Sequence, residues 1–110
     1  MAKYIAVDLD GTLAQYDHFR GHDNIGDPIP KMIERVRRWL REGKDVRIMT
    51  ARVYGGYENV PYIEEWCMRH IGVILPVTCC KDSDMGELWD DRAVRVIKNT
   101  GEVYGGEEGL

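Results

Sequence analysis

The sequence predicts an α/β protein with a three-layer α/β/α, Rossmann-like fold and a central, mostly parallel sheet. Short apolar runs rich in β-branched residues alternate along the chain with amphipathic segments of helical period. Proline and glycine separate these segments. Because strands that alternate with helices form βαβ units, we expect a parallel sheet covered on both faces.

The first half of the chain predicts a strand, a loop, a helix and a second strand. Residues 3–9 form a buried strand, and residues 14–28 have the glycine, proline and asparagine content of a loop. Pro30 can begin a helix, since a proline in the first turn loses no hydrogen bond, and Gly43 suits its end. Residues 46–49 give the second strand.

The second half of the chain continues this alternation after a loop. A helix is predicted from Pro61 to Gly72, with one apolar face turned to the sheet. Residues 73–79 predict the third strand and residues 86–89 the fourth. Residues 93–97 fit either a strand or a helix, and their alternation of valine and arginine favours a short strand.

Length and composition predict a single domain, residues 1–110. The net charge of −4 disfavours nonspecific nucleic-acid binding. The basic stretch 31–44 is interpreted as a solvated helix face, with a polyanion-binding surface as the alternative. Without a membrane-length apolar run or a signal peptide, we expect a cytoplasmic protein with no membrane partner. Three cysteines, an odd number, favour reduced thiols over disulfides.

Polar side chains fall where the predicted strands end. Four carboxylates, a hydroxyl and an ammonium group are expected at one sheet edge, where open parallel sheets bind ligands. Two carboxylates about 4 Å apart repel by roughly 4 kcal/mol at an effective dielectric near 20, so the cluster needs a cation, and Mg²⁺ suits such oxygen ligands. These chemical groups are also those that phosphoryl transfer requires. The residues are Asp8, Asp10, Thr50, Lys81, Asp90 and Asp91.

The same residues carry a resemblance to a known family. The run from Asp8 to Thr12, Asp-Leu-Asp-Gly-Thr, resembles the DxDGT signature of haloacid dehalogenase-like (HAD) hydrolases. Thr50 at the end of a strand is similar to the second motif of that superfamily, and Lys81 to the lysine of the third motif. Asp90-Asp91 resembles the acidic fourth motif. All four occur in the expected order, as in a small, capless, phosphatase-type member.

The resemblance implies a Mg²⁺-dependent phosphatase that works through an aspartyl-phosphate. Asp8 would be the nucleophile, and Asp10 would protonate the leaving oxygen and then deprotonate water. Thr50 would hold phosphate oxygens, and Lys81 would neutralise the charge of Asp8 and of the phosphoryl group. The implied substrate-binding residues are Gly11, Thr12, Thr50, Ala51, Arg52 and Lys81. The implied metal ligands are Asp8, Asp10 through its backbone carbonyl, Asp90 and Asp91, with Asp90 rather than Asp91 as the direct ligand.

Several alternatives remain open on the sequence alone. Arg52 fits either a contact to substrate phosphate or a structural ion pair. His18 and His22, beside acidic residues, suggest a second metal site, although exposed loop histidines are the more ordinary interpretation. An uncapped site admits small phosphate esters and macromolecular phosphate ends, including nucleic acid. A phosphoacceptor or a catalytically inactive phosphate-binding domain is the alternative function.

Overall fold

The computed structural model describes residues 3–105, so the ends of the predicted domain, residues 1–2 and 106–110, lie outside the described part. Two short 3₁₀ turns precede the second helix, at Ala51–Val53 and Tyr57–Asn59. The regular elements, in chain order, are β1 (Tyr4–Asp8), α1 (Pro30–Arg41), β2 (Val46–Met49), α2 (Val60–His70), β3 (Val77–Thr78) and β4 (Met85–Trp89). Within the described range, neither helix is long and apolar enough to cross a membrane.

The strands form one parallel sheet in the order β3-β2-β1-β4. This arrangement confirms the predicted α/β class and the parallel sheet. Because β1 is central and β4 is its direct neighbour, the carboxyl ends of the first and last strands lie side by side. That edge positions the candidate site.

Both helices pack against one face of the sheet. Alternate residues of the central strands, such as Val7 and Ile48, share a single apolar core with residues of α1 and α2. Trp39 of α1 also packs edge-to-face against Trp89 of β4, with ring centroids 5.0 Å apart. The core therefore lies between this face and the two helices.

The opposite face is covered by chain without helical structure. Tyr4 lies on this face, almost fully buried, and its hydroxyl donates to Asp82 at 3.0 Å. The Arg47 guanidinium stacks over the Tyr4 ring, 4.0 Å from its centroid. The connection between β3 and β4 thus takes the place that a helix would have in a three-layer fold. Among residues 3–105, the predicted second helical layer is not formed.

The ends of α1 and α2 follow their local signals. Pro30 begins α1, and Pro61 lies in the first turn of α2, as predicted. Gly43 and Gly72 follow the helix ends with φ of 78° and 100°, a left-handed conformation that glycine adopts without a Cβ clash.

Two strand predictions were wrong in extent or in kind. The third strand was expected over residues 73–79, but β3 contains only Val77 and Thr78. Pro76, just before it, has no N–H to donate to the ladder. Residues 93–97 do not form a strand; Val96 makes an isolated bridge with Val103. Their apolar side chains stay exposed, so the alternating pattern has no buried face to stabilise it.

Candidate active site

Three carboxylates meet at the carboxyl edge of the sheet. Asp8 is the last residue of β1, and Asp90 and Asp91 directly follow β4, its parallel neighbour. One carboxylate oxygen from each lies within 4.8 Å of the other two. We call these three residues the acidic cluster. Residues about 80 positions apart in sequence thus form one group because their strands pair.

Thr12 and Gly11 connect the two halves of the acidic cluster. The Thr12 hydroxyl lies 3.2 Å from an oxygen of Asp8 and 3.2 Å from an oxygen of Asp91, and it accepts from the Asp91 backbone N–H at 3.1 Å. Gly11 has a φ of 92°, and a Cβ there would lie 2.6 Å from Asp91 Oδ2. The turn after β1 therefore needs glycine both for its conformation and for the close approach of Asp91.

The electrostatics of the acidic cluster are unfavourable without a cation. Burial first, and then contact with Asp91 and the negative charge of Asp90, together raise the pKa of Asp8 from an ordinary 3.8 to about 7. The Thr12 hydroxyl acts in the opposite sense. A divalent cation among these oxygens would favour the ionised carboxylate, so the donor set fits a hard cation such as Mg²⁺.

Asp10 lines the same cavity but is not part of the acidic cluster, and it pairs with Arg52. Its two carboxylate oxygens accept from Arg52 Nε at 2.8 Å and from Nη2 at 2.9 Å, a bidentate pair. The Arg52 side chain is only 5% exposed. Asp10 is therefore held as a hydrogen-bond acceptor, and its predicted metal contact through the backbone carbonyl stays a prediction.

Arg52 also fixes the loop that follows β1. Its remaining N–H groups donate to the backbone carbonyls of Gly21, His22 and Asn24 at 3.1–3.2 Å. Of the two interpretations given for Arg52, the structure contains the ion pair. With its donors engaged in this way, the guanidinium makes a substrate contact only if some of these bonds open.

Thr50 and Ala51 lie at the carboxyl end of β2 and line the same cavity as Asp8. Thr50 is buried, and its hydroxyl oxygen accepts from the Arg52 backbone N–H at 3.1 Å. The hydroxyl proton can still be donated, which is what a phosphate oxygen requires. The predicted role of both residues in substrate binding is compatible with this placement and stays a prediction.

Lys81 is not among the residues that line this cavity. It is exposed, in the connection between β3 and β4. The cationic side chain that does line the cavity besides Arg52 is Arg92, which directly follows the acidic cluster. The structure thus brings together the acidic residues and Thr50, and does not bring Lys81 to them.

The cavity has a volume of about 580 Å³ and includes residues that the motifs did not single out. Four of them carry rings: Tyr16, Phe19, His22 and Tyr54. His22 was considered only as a metal ligand, and no motif marked the other three, since they lie in irregular segments that the fold brings to the site.

The histidines of this loop do not assemble a second metal site in the described part of the chain. His18 contacts Asp17 and Arg20, whereas His22 packs edge-on against Phe19. The acidic cluster is the one group of three or more such ligands found among residues 3–105.

The basic stretch of α1 has structural contacts. Arg37 donates to the carbonyls of His70 and Ile71 at the end of α2, and Arg35 stacks over the Trp89 ring. These arginine contacts support the interpretation of the basic stretch as a packed and solvated helix face.

All three cysteines are free.

Comparison with known proteins supports the fold alone. No model of a known protein family matches the chain, and a search of curated proteins also finds no match. Among solved structures, a conserved protein from Bacteroides thetaiotaomicron superposes with a TM-score of 0.62. The two are 24% identical, and the match covers 88% of this chain and 82% of the other.

Proposed function

We propose that this protein is a Mg²⁺-dependent phosphatase, a cytoplasmic phosphomonoester hydrolase with Asp8 as its nucleophile. The observation that carries the proposal is the acidic cluster, in which Asp8, Asp90 and Asp91 offer oxygens within 4.8 Å of one another. Three of the four motifs that resemble those of HAD-like hydrolases, at Asp8, Thr50 and Asp90-Asp91, lie together at this site, whereas Lys81 does not line it.

Asp8, Asp90 and Asp91 would hold the metal ion. Bound Mg²⁺ would neutralise the carboxylates and the phosphoryl oxygens, which removes the repulsion between an anionic nucleophile and an anionic ester. Asp90 Oδ1 accepts from the Arg92 backbone N–H at 2.8 Å, and Asp91 contacts Thr12, so each carboxylate is oriented by a neighbour.

In the first half of the reaction, a carboxylate oxygen of Asp8 forms a bond to phosphorus while the ester P–O bond breaks. The leaving oxygen takes a proton from Asp10, and the phosphoryl group remains on Asp8. Both carboxylate oxygens of Asp10 accept from Arg52, so this step requires the pair to open and Asp10 to take up a proton from solvent before the ester bond breaks.

In the second half, water attacks the phosphorus of the aspartyl-phosphate. Asp10 takes a proton from that water, the bond to Asp8 breaks, and inorganic phosphate leaves. The bidentate contact with Arg52 favours this proton transfer, because Arg52 holds Asp10 as the carboxylate that accepts the proton. Thr50 can donate to a phosphoryl oxygen throughout.

The proposal is tested by phosphate release from an aryl phosphate with and without Mg²⁺. Turnover should require the metal, and Asp8→Asn should abolish it while the circular dichroism spectrum stays that of the wild type. Asp27→Asn, an exposed carboxylate that does not line the site cavity, is the matched control and should keep wild-type activity. Full activity of Asp8→Asn would refute the assignment of the nucleophile.

A further inference from the structure

Four ring-bearing side chains share the cavity of the acidic cluster. Tyr16, Phe19 and His22 come from the loop after β1, and Tyr54 from the chain after β2. We call these four residues the aromatic rim. They come from two separate segments, so the rim is a product of the fold and not of a local sequence run.

The rim is exposed, whereas at the polar end of the cavity Thr50 is buried, Asp8 and Asp90 are half-buried and Asp91 is exposed. Tyr16 and Phe19 are 48% and 51% exposed and Tyr54 is 86% exposed, but Thr12 and Thr50 beside the polar end are buried. A planar ligand that stacks on these exposed rings would remove part of their apolar surface from water. The cavity thus has a partly buried polar end and an open aromatic end.

Arg52 holds part of this rim in place. Its guanidinium lies 5.4 Å from the centroid of the Phe19 ring while it binds the carbonyls of Gly21 and His22. Phe19 packs in turn against the His22 ring, with centroids 5.0 Å apart. A ring that is already oriented loses less conformational entropy when a ligand stacks on it.

We propose that the natural substrate is a phosphomonoester whose leaving group carries a nucleobase, which stacks on the aromatic rim while the phosphate lies at the acidic cluster. This inference rests on the proposed function. A cavity of about 580 Å³ is in the range of small-molecule sites and much exceeds a phosphoryl group alone. In a nucleotide one pentose separates the base from the phosphorus, so the two groups can contact different parts of one cavity.

The tyrosine hydroxyls, the His22 imidazole and the Arg92 guanidinium supply hydrogen-bonding groups near the same cavity. Such groups can pair with the edge of a base, whereas stacking on its face tolerates all four bases. We therefore expect a preference for nucleotides over sugar phosphates, with little choice among bases.

The first experiment compares adenosine 5′-monophosphate with ribose 5-phosphate, which has the same pentose and phosphate but no base. Stacking of one base on an aromatic side chain contributes about 1–3 kcal/mol, which is about 5- to 150-fold. We expect kcat/KM to favour the nucleotide by a factor in this range. Equal values for the two esters would overturn the proposal.

Variants of the rim assign the preference to its residues. Tyr54→Leu and Tyr16→Leu change exposed side chains, so the fold should persist, and each should lower the ratio of the two kcat/KM values several-fold. Tyr62→Leu removes an exposed tyrosine of α2 that does not line the cavity, and should leave that ratio unchanged. An unchanged ratio in both rim variants would overturn the role of the rim.

A binding measurement separates this inference from the proposed function. Calorimetric titration of Asp8→Asn with each ester and Mg²⁺ needs no turnover, and adenosine 5′-monophosphate should bind at least about 5-fold more tightly. Failure of the wild type to hydrolyse the aryl phosphate and both of these esters would refute the phosphatase proposal, whereas equal binding of the two esters would refute the nucleobase site. A 5′-phosphorylated oligonucleotide and a tyrosine-phosphorylated peptide complete the panel. Preference for the oligonucleotide identifies a nucleic-acid end as the source of the base, and preference for the peptide contradicts the proposal.

Discussion

Asp8→Asn should make the metal-free protein more stable at neutral pH, although the residue is proposed to be essential for activity. In the folded protein, burial first and then Asp91 and Asp90 raise the pKa of Asp8 from 3.8 to about 7. Because the folded-state pKa is raised, the contribution of Asp8 to stability is fully present below pH about 4 and is lost as the pH rises through about 7. Asparagine keeps the shape of the side chain and removes this loss.

The size of the effect follows from the same pKa. At about 1.4 kcal/mol per tenfold change in proton affinity, the raised pKa of Asp8 corresponds to a loss of about 4 kcal/mol in the free energy of unfolding. Asp8 is only partly buried, and solvent screens part of this repulsion, so we expect about 1–2 kcal/mol at pH 8. At pH 4, where Asp8 is protonated in the fold, the two proteins should differ little.

Urea unfolding in the presence of a chelator measures this difference at each pH, and comparison of the two proteins cancels the titration of other groups. With Mg²⁺ the order should reverse, because a ligand at 100 times its Kd stabilises the wild type by about 2.7 kcal/mol and the variant binds it less well. Asp27→Asn should show neither effect. If Asp8→Asn were less stable than the wild type at pH 8 without metal, the repulsion that we assign to the acidic cluster would be wrong.

Three further substitutions probe the supports of the site. Arg52→Lys loses the bidentate contact with Asp10 and the carbonyl contacts of the loop, so we expect about 2–4 kcal/mol of destabilisation in urea and faster tryptic cleavage after Arg20; an unchanged unfolding midpoint would contradict the role of the pair. Gly11→Ala forces a Cβ into the Asp91 carboxylate at a φ of 92°, so thermal unfolding should report a loss of about 1–3 kcal/mol, and wild-type stability would show that the turn is not constrained. Asp91→Asn should raise the Mg²⁺ concentration for half-maximal activity about 10- to 100-fold, and an unchanged metal dependence would remove Asp91 from the metal site.

The parts of the fold that the sequence predicted are those with local signals. Pro30 and Gly43 bracket α1, since a proline in the first turn and a left-handed glycine after the last turn act within a few residues. The convergence of Asp8 with Asp90 was predictable because parallel strands present their carboxyl ends at one edge. Metal binding by these residues stays a prediction.

The parts that the sequence did not predict depend on tertiary packing. The choice between a substrate contact and an ion pair for Arg52 is decided by the neighbouring positions of β1 and β2, which place it beside Asp10, 42 residues away. The short connection after β3 covers the second face of the sheet, where a helical layer was expected. Residues 93–97 had the alternation of a strand, but Val96 pairs only in an isolated bridge with Val103 and the apolar side chains stay exposed.

The most direct test of the central claim is a crystal structure of the protein grown with Mn²⁺, whose anomalous scattering identifies a dication that Mg²⁺ sites accept. We predict one anomalous peak at the carboxyl edge of β1 and β4, about 2 Å from an oxygen of Asp8 and from an oxygen of Asp90 or Asp91. An absent peak, or a peak bound only by residues elsewhere, would contradict the proposal that these carboxylates converge around a metal ion.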